Sequence, residues 1–159
     1  MRIHYLAADD SLIKTLATWI YREWLQNNPE ASVARMCSIL SQRVESTQIP
    51  LTLVSFSDQG HPIGVVSLTK VDMQSRADLS PWLSGLYVLP EYRRTGVGAE
   101  MCKRIADESR RLGFKTIYLY TKDRQPLYSK LGWKPIFTEQ YNGDQVTVMA
   151  LDLEGREGQ

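Results

Sequence analysis

The segment Arg93-Arg94-Thr95-Gly96-Val97-Gly98 combines residue types suited to holding an anion. Two arginines bring charge, and two glycines let the backbone approach a ligand with no Cβ in the way. Just after them Val97, Met101, Ile105 and Leu112 recur at helical spacing, so the glycines open a helix. A helix start presents N–H groups without intrahelical partners and a partial positive charge, a combination that suits phosphate. Two common phosphate motifs are excluded. A dinucleotide fingerprint needs glycine or alanine three residues after Gly98, where Met101 stands, and the Gly-Lys-Ser/Thr of a P-loop is absent. Taken alone, Gly-x-Gly at a helix start also fits a structural turn. Cys37 and Cys102 have neither CxxC nor metal-ligand spacing, so free thiols in a reducing compartment are expected, with no metal.

The elements that must position this loop follow from patterning. Ile3 to Leu6 predicts a strand. Asp9 and Ser11 offer caps for a helix in which Leu12, Leu16, Ile20 and Trp24 recur every four residues, with Trp19 beside them. Ser32 caps a second helix whose face is Val33, Met36, Cys37, Leu40 and Val44. Leu51 to Phe56 and Ile63 to Val71, separated by Asp58-Gln59-Gly60-His61-Pro62, predict a hairpin. A polar stretch, Asp72 to Pro81, leads to an apolar strand from Trp82 to Leu89. The helix behind the glycines stops at Gly113; a strand, Thr116 to Thr121, and a short helix, Gln125 to Leu131, follow. Strands around Pro135 to Tyr141 and Gln145 to Leu153 flank Asn142-Gly143, a hairpin signal. The order β-α-α-β-β-β-α-β-α-β-β predicts a single α/β domain over residues 1–153, with 154–159 a polar tail.

The stretch from Leu86 to Ala99 resembles motif A of the GNAT acyl-CoA N-acyltransferases, whose Arg/Gln-x-x-Gly-x-Gly/Ala is met by Arg93, Gly96 and Gly98. Leu127-Tyr128-Ser129-Lys130-Leu131-Gly132-Trp133 is similar to the family's motif B, at the usual separation. The resemblance implies a mixed, mostly antiparallel sheet flanked by helices, with splayed central strands. It implies acetyl-CoA as co-substrate and direct attack by a primary amine of a small molecule or peptide in a ternary complex. Backbone groups of Leu86, Tyr87 and Val88 would pair with the pantetheine arm, on an edge left free by the splayed neighbouring strand. The amides of Arg94, Thr95, Gly96, Val97, Gly98 and Ala99 would cradle the pyrophosphate, with Arg93 completing the motif. Tyr128 would protonate the departing thiolate, a job a neutral phenol can do. Thr121 and Arg124 depart from the family's usual Asn and Ala; Thr121 can still hydrogen-bond the pantetheine.

An amine with pKa near ~10 is mostly ammonium at pH 7, so a proton must leave before attack. Asp72, Asp78 and Glu139 fall in segments expected to border the acceptor, and Asp72 or Asp78 is the predicted base. Ser84 and Tyr87 could steer a water. Trp19, Tyr21, Trp24 and Trp82 are candidate cleft walls, but Trp19 and Trp24 sit among the core positions of their helix, so core packing is the first expectation for those two.

The chain of 159 residues is 43% hydrophobic and 23% charged, a globular composition rather than a disordered or fibrous one. Its net charge of +1 hides a gradient: residues 91–134 carry eleven basic and five acidic groups, and both flanking segments are net acidic. The positive block coincides with the phosphate-binding motifs, as acetyl-CoA would require. Net charge argues against a dedicated nucleic-acid binder, and acids interleaved with Arg93, Arg94, Arg110 and Arg111 weaken a basic RNA-binding surface. With no signal-peptide core and no long apolar run, a cytoplasmic protein without membrane partners is expected, with a homodimer open. The rival of a different class is a non-catalytic acyl-CoA-binding or protein-interaction module, which loss of Tyr128 or of the glycines would have favoured.

Overall fold

The computed structural model describes residues 1–154; most of the predicted polar tail at 154–159 lies outside the described residues. Seven strands are hydrogen-bonded neighbours in the order β1-β2-β3-β4-β5-β7-β6, a mixed open sheet with four helices. The strands are β1 (Arg2–Tyr5), β2 (Leu51–Phe56), β3 (Pro62–Thr69), β4 (Trp82–Val88), β5 (Thr116–Thr121), β6 (Lys134–Tyr141) and β7 (Asp144–Asp152). The helices are α1 (Asp10–Ile20), α2 (Val33–Ser41), α3 (Val97–Arg111) and α4 (Gln125–Lys130). The order of strands and helices matches the sequence expectation; α1 stops at Ile20 rather than running through Trp24, α2 ends three residues short of Val44, and the other ends shift by at most two residues.

The chain forms two compact units, the first of Met1–Ser67 with Gly85–Cys102 and the second of Leu68–Ser84 with the described residues from Lys103 on. In the first unit, β1 pairs antiparallel with β2, Arg2 facing Phe56 and Tyr5 facing Leu53. The Asp9 carboxylate caps α1 by accepting the Leu12 amide at 3.1 Å, and the Ser32 hydroxyl caps α2 by accepting the Arg35 amide at 2.9 Å. Leu6, Ile13, Leu16, Leu40, Val54 and Val65 build the core between these helices and the strands. Past Ile20 the helix widens into a π turn over Tyr21–Leu25, a feature the four-residue period did not announce.

In the second unit β4 pairs with β5 in parallel, registered at Trp82↔Tyr118. Parallel neighbours need a long crossover, and α3 supplies it. The antiparallel pairs β5·β7 and β6·β7 complete the unit, closed by a turn with Asn142 at φ 50 and Gly143 at φ 86. Positive φ at both central residues is what such a two-residue hairpin requires. Pro135, unable to donate to a ladder, sits on the end strand β6 beside a register shift. Trp82 is fully buried with Met73, Val146 and Val148, its indole N–H bonded to the Leu79 carbonyl at 2.7 Å. The expected cleft wall at Trp82 is therefore corrected to a core residue: the rings of Tyr118 and Tyr120 cover it, at 5.9 and 6.3 Å.

Candidate active site

Pro90–Tyr92 turns the chain out of β4 as a short 3-10 helix, and Arg93 follows extended. Arg94 then takes φ 63 and Gly96 φ 93, and Thr95 between them donates its hydroxyl to the Tyr92 carbonyl. Left-handed residues alternating with ordinary ones turn successive amides toward one side, the concavity that accommodates anions. The first α3 bond at this end runs from the Glu100 amide to the Gly96 carbonyl at 3.0 Å. The amides of Val97, Gly98 and Ala99 thus come ahead of the helical ladder, at its positive end. At Gly98 an added Cβ would meet Val88 Cγ2 at 3.8 Å, an ordinary contact. Such amides are the kind of donors that a phosphate group takes.

Arg93 does something the sequence did not reveal. Its Nε donates to the Val88 carbonyl at 2.8 Å, and its guanidinium lies 5.3 Å from the centre of the Tyr87 ring. Leu86, Tyr87 and Val88 are half-buried at the end of β4, and the Arg93 side chain ties the loop back to that strand. The Tyr87 ring also packs against Trp19 at 5.6 Å and Trp24 at 6.4 Å. Trp24, one of the expected core positions, is 49% exposed.

The remaining candidates lie in the second unit. Tyr128 is buried on α4, with its ring 6.2 Å from Trp133 in a T-shaped pair, and its carbonyl accepts the amides of Leu131 and Trp133. Thr121 Oγ1 accepts the Arg124 amide at 2.9 Å, leaving its own proton for donation, and Arg124 is exposed. Asp78 is gripped by Arg76 through two bonds, 3.0 Å from Nε and 2.9 Å from Nη2, and this pairing holds its carboxyl below the usual range. A carboxylate so held is a weaker base than the sequence suggested. Glu139 accepts the Ser75 hydroxyl. Asp72 is half-buried near Tyr120, whose phenol is pushed up by burial and then by the charge of Asp72 and by Tyr141. Ser84 accepts the Thr69 hydroxyl at 3.4 Å. Sequence reasoning passed over Tyr120 and Tyr141, whose rings meet at 5.4 Å; period-two alternation in β5 was the signal that puts Tyr118 and Tyr120 on one face.

Of the other arginines in the positive block, Arg110 pairs with Asp107 at 2.9 Å and Arg111 with Glu108 at 2.8 Å. Among the described residues no group of three or more His, Cys, Asp and Glu side chains could hold a metal ion, and no helix is long and apolar enough to cross a membrane.

A family model described as the acetyltransferase (GNAT) family matches residues 13–133. No curated protein matches the chain by sequence. Among solved structures, an aminoglycoside 6'-N-acetyltransferase complexed with coenzyme A superposes with a TM-score of 0.76 at 16% identity, covering 96% of this chain and 97% of that one. A spermidine N-acetyltransferase SpeG chimera from Vibrio cholerae and hSSAT gives 0.75 at 16% identity, over 100% of both chains. The aminoglycoside 6'-N-acetyltransferase of Enterococcus faecium gives 0.74 at 17% identity, over 96% and 97%.

Proposed function

The chain belongs to the GNAT acetyltransferase family, and from that premise we propose that it transfers the acetyl group of acetyl-CoA to a primary amine of a small molecule or peptide. The observation that carries this reading is the loop from Arg93 to Gly98, an intact family motif that folds into an anion-shaped turn at the start of a fifteen-residue helix. The amides from Arg94 to Ala99 bind the pyrophosphate. Leu86, Tyr87 and Val88 offer backbone groups to the pantetheine, and Arg93 acts through its hold on Val88, fixing the loop to the strand. Thr121 donates its hydroxyl proton to the same arm.

In the reaction, the ammonium first gives one proton to Asp72, directly or through water, and the neutral amine attacks the thioester carbonyl, forming the C–N bond of a tetrahedral intermediate. A backbone N–H at the Val88 end of β4 stabilises its oxyanion. As the intermediate collapses the C–S bond breaks, Tyr128 protonates the thiolate of CoA, and the second proton shed by the nitrogen restores the phenol. Asp78 is the weaker candidate because the Arg76 guanidinium already occupies both of its oxygens. The family's structural neighbours include enzymes named for aminoglycoside and spermidine acetylation, which supports polar, polycationic small molecules as the first acceptors to try.

The same reading takes residues 1–153 as one acyltransferase domain. Two free cysteines support a reducing compartment such as the cytoplasm. Arginines already paired on α3 speak against a nucleic-acid surface. The test is a panel of amines with acetyl-CoA, following released thiol. Amine-dependent release by the native protein, reduced on Tyr128→Phe, is the expected result. Failure to bind acetyl-CoA would overturn the reading.

A further inference from the structure

Leu12, Leu16, Ile20 and Trp24 share a four-residue period, and in a regular helix all four would face the core. Leu16 and Ile20 do so, being 0% and 8% exposed. The π turn at Tyr21–Leu25 then intervenes. A turn closed by bonds five residues apart advances less around the axis per residue than an α turn, and such turns are frequent at functional sites. Trp24 stands in that turn, outside the core cluster and against Tyr87, where Trp19 already packs. The Trp24 and Tyr87 rings meet edge-on at 82°. Of the large apolar side chains exposed among the described residues, Trp24 is the most exposed. The Arg93 guanidinium already lies 5.3 Å from the centre of the Tyr87 ring, so the ring of this cluster left for a further cation is the exposed Trp24.

We propose that Trp24, held by Trp19 and Tyr87, recognises the acceptor, selecting amines that carry a second cationic group, which rests on the exposed face of its indole. This rests on the acetyltransfer reading above. Three observations favour a small polycationic amine as occupant over a protein partner. Indole is the strongest side-chain face for an ammonium. A protein interface of ordinary size needs a much larger apolar surface than this single exposed ring. Finally, Tyr87 joins the aromatic face to β4, the strand assigned to the acetyl donor, so the ring that braces Trp24 and the backbone proposed to hold pantetheine belong to one residue.

Trp24→Ala and Trp24→Phe would be compared on two amines of equal length, 1,5-diaminopentane and n-pentylamine, together with spermidine and kanamycin. Trp24→Ala is expected to raise KM for the polycations by about two- to fivefold, the size of one exposed cation–π contact. KM for pentylamine should change less than about twofold on the same basis. The KM for acetyl-CoA and kcat should hold, and Trp24→Phe should recover most of the loss. A second readout needs no turnover: with CoA bound, diaminopentane should quench the native indole emission saturably, and Trp24→Phe should abolish that response. Equal effects on diamine and monoamine, or a Trp24 indifferent to every polycation tested, overturn the proposal. Thiol release that proceeds normally while Trp24 stays silent refutes this inference and leaves the acetyltransfer reading intact. Saturable quenching without thiol release refutes acetyltransfer and leaves the recognition role standing.

Discussion

Gly96 and Gly98 stand two residues apart and are glycine for different reasons. Gly96 has φ 93, a conformation that costs an L-residue about 1–2 kcal/mol, so Gly96→Ala should lower stability by about that amount in urea unfolding. Gly98 is helical, and a Cβ there has room. The fold makes no demand for glycine at 98; under the proposed acetyl-CoA site, the close approach of the ligand would make it. Gly98→Ala should therefore leave Tm unchanged or raise it, since alanine is favoured in helices by up to about 1 kcal/mol. Its KM for acetyl-CoA should rise about tenfold, a loss of about 1.4 kcal/mol in binding. Tyr128→Phe should show the opposite division, with KM for acetyl-CoA near native and kcat down by about a hundredfold or more, as expected for loss of a general acid. Cys102 offers a check on burial: its thiol is pushed up to about 12 by desolvation, whereas Cys37 is only half-buried. A thiol reagent at pH 8 should find one reactive cysteine in the native protein and two in denaturant. Because the folded pKa lies above the unfolded one, Cys102 favours the native state fully below pH 9, and that contribution is lost as pH rises toward 12.

At the scale of elements, legibility depended on how far away the partner lay. Caps at Asp9 and Ser32, the stop at Gly113 and the turn at Asn142-Gly143 were readable because each is satisfied within a few residues of chain. Trp82 misled because its covering rings come from β5, more than thirty residues on, and an apolar ring at a strand entrance looks the same whether a cleft or a core awaits it. The π turn was invisible because the hydrophobic period runs unbroken through Trp24 while the backbone does not follow it. Gly64 shows the same limit in packing. A Cβ there would lie 2.6 Å from Ser55 Oγ and 2.8 Å from Met101 Sδ, two atoms that already share a 3.3 Å hydrogen bond between β2 and α3. Gly64→Ala should cost about 1–3 kcal/mol in chemical denaturation, the usual penalty of overfilling a packed core. A variant as stable as native would show that Ser55 and Met101 move aside freely.

For the molecule as a whole, charge is the property that sequence and structure describe differently. Along the chain, residues 91–134 form a positive block; in space, Arg110 and Arg111 spend their charge on α3's own carboxylates and Arg93 spends its bond on a carbonyl. What the Arg93–Gly98 loop itself offers a phosphorylated donor is its backbone, the helix start and Arg94, which is exposed. Raising the salt from about 50 to 500 mM shortens the Debye length from over ~10 Å to about 4 Å. The KM for acetyl-CoA should then rise only a few-fold, since backbone dipoles in contact with the ligand are screened less than free side chains. The motifs were legible because they consist of contiguous residues. The acceptor side was less so, because Asp72, Asp78 and Glu139 look alike in sequence and are separated only by their partners in space.

The widened turn in the first helix also sets where that helix opens first. Turns bonded over five residues are rare, and no residue of Tyr21–Leu25 is buried, whereas Ile13, Leu16, Ala17 and Ile20 of the turns before it are. Few buried contacts mark segments that open locally at low free energy. Amides of the widened turn should therefore exchange with deuterium well ahead of those of Asp10–Ile20.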